Sequence, residues 1–219
     1  MTWDEAEEHG TLGAFRVTFV RDFYAGSDAL KIAAHHCTTV GQVVNQRETG
    51  SSNLPDVVTD ITCTDKDIVD TNHAILMQSR LNYVAQYFFD TFTIKQCSDG
   101  VSLNSASQDK YPFAGNKNGP QDDDENLLCD TIIDDCPGTD YPNADLVIIM
   151  TAHPVSADAR STKAFASCVQ VDQFDRCTVG HVNWEPDTLS SIEKAVTPAV
   201  ILEERALVLH EAFHVMRAI

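Results

Sequence analysis

Read by the spacing of its apolar residues, the chain predicts two long helices and several short strands. Ala14–Val20 alternates polar and apolar positions as a half-buried strand does, and the stretch from Asp22 to Asp28, with Gly26 inside it, reads as the turn that follows. From Asp70 to Phe92 the period lengthens: Ile75, Leu76, Leu81, Val84, Ala85, Phe88 and Phe89 share one broad helical face, and Asp70 or Thr71 can cap the start. Phe92–Cys97 then reads as a strand returning from that helix. Ala144–Ala152 is apolar on both faces, the pattern of a central strand. Ala164–Cys168 brings the chain back and Cys177–Trp184 predicts a further strand, placed here at a sheet edge, where an extended peptide could pair with free backbone groups. Within it Gly180 marks a bulge or a close backbone approach, and His181 is read as a polar edge residue.

The last predicted element, a helix over Ile201–Ile219, carries the densest chemistry. Thr197-Pro198 supplies its start, a hydroxyl for the cap and a proline for the first helical position. Leu202, Ala206, Leu209, Phe213 and Met216 form one apolar stripe, widened by Ile201, Val208, Ala212 and Val215, so most of the helix surface is expected to be buried. On it lies H-E-x-x-H: His210, Glu211 and His214. Four residues are slightly more than one turn, so both imidazoles project from one face, close enough to ligate a single zinc ion, and the Glu211 carboxylate can reach a water activated there as a general base. The plainer reading, an ordinary surface turn, is opposed by the apolar stripe, because buried imidazoles are costly unless something satisfies them. A catalytic zinc takes three protein ligands, and the third is expected beyond Ile219.

Other histidines and acidic groups add little. His35 and His36 are adjacent, so in an extended segment they face opposite ways, and His73 reads as a solvated or capped first-turn residue. Between Ser98 and Glu125 the composition turns to Ser, Asn, Asp, Gly, Pro and Lys; Asp122, Asp123, Asp124 and Glu125 lack the spacing and glycine of a calcium loop and read as a solvated surface run.

Length and charge narrow the classes. The 219 residues suit one sizeable core, and a net charge of -18 argues against binding nucleic acid or an anionic membrane surface. No apolar stretch is long enough to span a bilayer, so no direct membrane insertion is expected; Met1–Arg16 is acidic and does not resemble a signal peptide. Seven dispersed cysteines, Cys37, Cys63, Cys97, Cys129, Cys136, Cys168 and Cys177, without a C-x-x-C pair, point instead to a disulfide framework and an oxidising compartment. Cys37 with Cys63 would staple the polar loop Gln46–Pro55. The odd count leaves at least one thiol free or paired outside the chain.

Five segments in order, His35–Gln42, Ala144–Ala152, Ala164–Cys168, Gly180–Trp184 and His210–His214, together resemble the leishmanolysin family of metzincin-type zinc endopeptidases, which are secreted or held at the cell surface. The resemblance runs from about Ala14 onward. It implies an α+β fold, a metzincin-like zincin subdomain with a twisted mixed sheet, a backing helix, an active-site helix and disulfide staples. It implies His210 and His214 as Zn2+ ligands, Glu211 as catalytic base, and protein or peptide substrates. It also implies disulfides Cys37–Cys63 and Cys129–Cys168; Cys97, Cys136 and Cys177 have no clear family counterpart, and Cys136 with Cys177 is a remaining pairing. The family places a glycine three residues after its second histidine, where this chain has Arg217, and its third histidine and methionine turn would fall past Ile219.

The expectation is therefore a single N-terminal catalytic subdomain over 1–219, with 98–128 a surface insertion and the C-terminal remainder outside the sequence. Such a chain alone is expected to be inactive for want of a third ligand. The oligomeric state and the substrate specificity are left open. The competing reading is a catalytically dead extracellular binding module on the same scaffold, which predicts that Glu211 is dispensable.

Overall fold

The computed structural model describes residues 12–20, 37–48, 57–96, 99–102, 140–154, 163–172, 175–188 and 197–216. The turn at Asp22–Asp28, His35 and His36, most of the 98–128 insertion with its acidic run, and Cys97, Cys129 and Cys136 lie outside those residues. The fold is mixed α+β. Its centre is a four-stranded mixed sheet in the order β2 (Val17–Val20), β8 (Leu146–Thr151), β10 (Cys177–Trp184), β9 (Ala164–Val171). β8 runs parallel to both β2 and β10, and β9 is antiparallel to β10.

β8 is buried along its whole length, as its unbroken apolar run requires. The segment predicted as one strand over Ala14–Val20 is two. β1 (Leu12–Ala14) pairs with β5 (Thr93–Lys95), and the chain changes partner at Phe15-Arg16 to enter the central sheet as β2. Arg16 fixes the change: its guanidinium grips the buried Asp145 carboxylate at 2.8 and 2.9 Å, while its carbonyl accepts the amide of Asp145 at 2.8 Å.

Two helices cover the sheet among the described residues. α1 (Thr71–Thr91) packs on β1 and β2, α2 (Pro198–Met216) packs on β9 and β10, and the helices pack on each other. α1 turns Met77, Arg80, Leu81, Val84 and Phe88 inward, whereas Ile75 and Phe89, assigned to its apolar face by spacing, are exposed. Its cap is Asp70, whose Oδ1 accepts the amides of Asn72 and His73, both at 2.9 Å. His73 answers by accepting the Asp70 amide on Nδ1 at 3.3 Å, so it is a capping residue, as its first-turn position predicts.

The His73 amide holds the Asp70 carboxyl below its ordinary pKa. Because the folded value is the lower one, the cap's contribution is complete above the unfolded pKa and is lost as pH falls through the folded one. Asp70→Ala is expected to lower stability by about 1 kcal/mol at neutral pH, and the gap from wild type should close when urea unfolding is repeated in acid below the carboxylate range.

Gln46–Pro55 is expected as loop, yet its first three residues, Gln46–Glu48, belong to a strand. β3 (Val43–Glu48) and β4 (Val57–Thr62) form an antiparallel hairpin, beside which Cys37 and Cys63 are disulfide-bonded as expected. The reason is a second small core: Val44 and Ile61 bury against that disulfide, with Ile68 at its margin. β6 (Val101–Ser102), inside the stretch expected as a surface insertion, pairs with β7 (Asp140–Tyr141).

Candidate active site

α2 begins where Thr197-Pro198 predicts. The Thr197 hydroxyl accepts the amide of Val200 at 3.4 Å and its carbonyl accepts that of Ile201 at 3.0 Å. Good helix formers follow, and the helix inserts Val208, Glu211, Ala212 and Val215 into the protein. The buried face is thus the shorter of the two predicted stripes. Leu202 is 69% exposed and Phe213 38%, and both His210 and His214 lie on the exposed flank. The expectation of buried imidazoles is corrected accordingly: of the three motif residues only Glu211 is buried, at 4% exposure.

Spacing by four brings the two histidines together. Their rings stand edge to face with centroids 4.5 Å apart, and Nε2 of His214 lies 2.9 Å from Nε2 of His210. A tetrahedral zinc ion holds two imidazole nitrogens roughly 3.3 Å apart, from Zn–N bonds of about 2.0–2.1 Å, so this pair needs little movement to share one. Among the described residues no group of three His, Cys, Asp or Glu side chains converges on a metal position. Burial raises the Glu211 carboxyl above its ordinary pKa, with His210 and His214 pulling the other way. That direction moves a carboxylate toward the neutral range in which a general base works best.

Several contacts fix α2 in place. Arg80 Nε on α1 donates to Glu204 Oε2 at 2.8 Å in a largely buried ion pair, and Arg205 lies 4.1 Å above the Tyr83 ring. Phe213, one residue before His214, packs edge-on against Phe88 and Phe92 at 5.6 and 6.0 Å. On its other side Val215 meets Gly180 of β10, where any Cβ would collide with Val215 Cγ1 and come within 2.8 Å of Cγ2. Gly180 is therefore a close-approach glycine, next to a register shift at Val179/Gly180. This glycine sets how near His214 can come to the sheet.

The strand around Gly180 is not an edge. β10 lies between β8 and β9 and is buried throughout. His181, read as a polar edge residue, has 0% exposure; its Nε2 is 2.8 Å from Thr151 Oγ1, which donates to Asn183 Oδ1 at 2.6 Å. Asn183 Oδ1 also accepts the His153 amide, and its Nδ2 donates to the His153 carbonyl, both at 2.9 Å. Polar residues that satisfy one another can occupy a central strand, and for that reason His181 and Asn183 in β10, bonded to Thr151 of β8, mimic an edge pattern in sequence. The edges of this sheet among the described residues are β2 and β9, and β9 is the one beside β10. It borders a recess of about 540 Å³ whose lining includes Ser167, Cys168, Val169, Val171 and His214.

The leishmanolysin family model matches residues 16–217. The chain belongs to the leishmanolysin family. No curated protein matches it. Membership in this family of zinc metalloproteases agrees with the mixed sheet, the disulfides and the H-E-x-x-H helix together. One family-derived pairing is corrected: in this leishmanolysin-family chain Cys168 is bonded to Cys177, nine residues on, and not to Cys129, so Cys177 is not paired with Cys136 either. The two cysteines are not opposite in the β9–β10 ladder, where Cys168 faces Gly180 and Cys177 faces Val171, but the ladder shifts register between Cys177 and Gly180 and their Cα atoms lie 5.9 Å apart, within disulfide reach. The described helices include none long and apolar enough to cross a membrane, and the two disulfides fit an oxidising compartment.

Proposed function

We propose that this leishmanolysin-family chain carries the catalytic helix of a zinc-dependent metalloendopeptidase, with His210 and His214 as metal ligands and Glu211 as general base. What carries the reading is the convergence of the two Nε2 atoms to 2.9 Å beside a buried carboxylate. Zinc bound there supplies Lewis acidity toward water and the scissile carbonyl. Glu211, its pKa raised by burial, takes the proton from the attacking water and delivers it to the leaving amine. β9, the edge strand that borders the recess, presents backbone groups beside His214 for an extended protein or peptide substrate.

The third ligand belongs, on this reading, to residues outside those described. Two imidazoles leave the ion's geometry undefined. The disulfides and the family support a secreted or cell-surface location. With both rings exposed, imidazole burial does not count against the dead-module reading; what opposes it is the buried Glu211, a group that such a module has no reason to retain.

Metal removal tests the proposal. Cleavage of a denatured protein by the native gene product should stop with 1,10-phenanthroline and return on adding zinc. Cleavage indifferent to the chelator would sink the zinc mechanism.

A further inference from the structure

The Cys168–Cys177 disulfide differs in setting from Cys37–Cys63. The latter pair is sealed at 0% and 1% exposure inside its own small core and spans 26 residues. Cys168, by contrast, is only half-buried, and both Cys168 and Cys177 line the recess that His214 shares. Their bond closes a segment of nine residues at the place where the β9–β10 ladder loses register, between Cys177 and Val179 and again between Val179 and Gly180. The turn it encloses has its own ties: Arg176 Nε donates to Asp172 Oδ2 at 2.9 Å, and the Asp172 amide to the Arg176 carbonyl at 2.9 Å. A short loop with independent ties loses little when its cross-link opens, because the loop-closure contribution of a disulfide grows with loop length.

We propose that Cys168–Cys177 is a thiol-exchange site in the wall of the recess, open to a small uncharged thiol. Asp175 lines the same recess and the chain carries a net charge of -18, so an anionic thiol is disfavoured. The thiolate attacks the half-buried Cys168 sulfur, forming a mixed disulfide and releasing the Cys177 thiolate, which takes up a proton. A second thiolate then attacks the thiol-derived sulfur and releases Cys168. The protein gains two electrons and two protons as two small thiols become one disulfide. Opening the bond frees the outer end of β9 from the start of β10, next to His214, while α2 keeps its anchors at Gly180 and Glu204. The consequence for cleavage rests on the reading of this recess as the substrate cleft; the exchange itself does not.

The test is graded dithiothreitol on the native protein, followed by iodoacetamide labelling, peptide mass mapping and far-UV circular dichroism. Labelling at Cys168 and Cys177 should run at least about tenfold ahead of that at Cys37 and Cys63, with the dichroism unchanged. Equal labelling of both pairs, or labelling only as the dichroism collapses, overturns the proposal. Peptide KM, measured with zinc content held constant, should rise once the pair is opened. Rapid selective labelling with an unchanged KM leaves the exchange site standing and removes the cleft reading.

Discussion

Glu211→Gln is expected to lower kcat for peptide cleavage by about 10²–10⁴-fold, the range attributed to a positioned acid–base group. The substitution conserves volume at a site with 4% exposure, so packing is preserved, but an amide cannot take a proton from water. Zinc content and KM should stay near wild type, because His210, His214 and the recess wall are untouched. The pattern distinguishes a base from a structural carboxylate: a loss shared between kcat, zinc content and thermal stability would move Glu211 out of the chemistry.

Gly180→Ala should be nearly as damaging, by a different route. Its new Cβ has no room beside Val215, and β10 is a central strand that cannot retreat, so α2 must move outward at the residue after His214. Overpacking of this kind costs about 1–3 kcal/mol, and activity should fall further than stability, since small misplacements of reacting groups are felt steeply. Val215→Ala removes both colliding methyl groups. The double variant Gly180→Ala/Val215→Ala should therefore recover zinc affinity and turnover relative to Gly180→Ala alone, a coupling measurable in a double-mutant cycle. Additive losses would mean that the strand–helix approach does not set the histidine geometry.

Local signals in the sequence carried the elements well. β10 has the predicted ends, Cys177 and Trp184, and α1 starts at its Asp70 cap; α2 starts at Pro198, three residues before the predicted boundary but at the capping signal named for it. These features depend on period and capping chemistry, which neighbouring residues decide. Choices between tertiary alternatives were less legible. α2 is apolar around most of its circumference, so two stripes compete, and only the sheet and α1 determine that Val208, Ala212 and Val215 go inward while Leu202 stays out. Buried Thr151, His181 and Asn183 satisfy one another across two strands, which makes a central strand look half-solvated when read alone. Cysteine pairing follows register, and no local pattern announces that Cys168 and Cys177 sit across one ladder. The H-E-x-x-H site itself was legible because its geometry is local to one helix turn. The anchors that hold it, Arg80 to Glu204 and Gly180 to Val215, join residues 124 and 35 positions apart and have no local signature beyond the glycine.

The most direct measurement is zinc stoichiometry, by elemental mass spectrometry, of the purified gene product beside His210→Ala and His214→Ala variants shown by circular dichroism to be folded. The account predicts one zinc per chain in the wild type and loss of that zinc in both variants, each of which removes one of two Nε2 atoms lying 2.9 Å apart. Full zinc occupancy in a folded His214→Ala variant, or no zinc in the wild type, would contradict it.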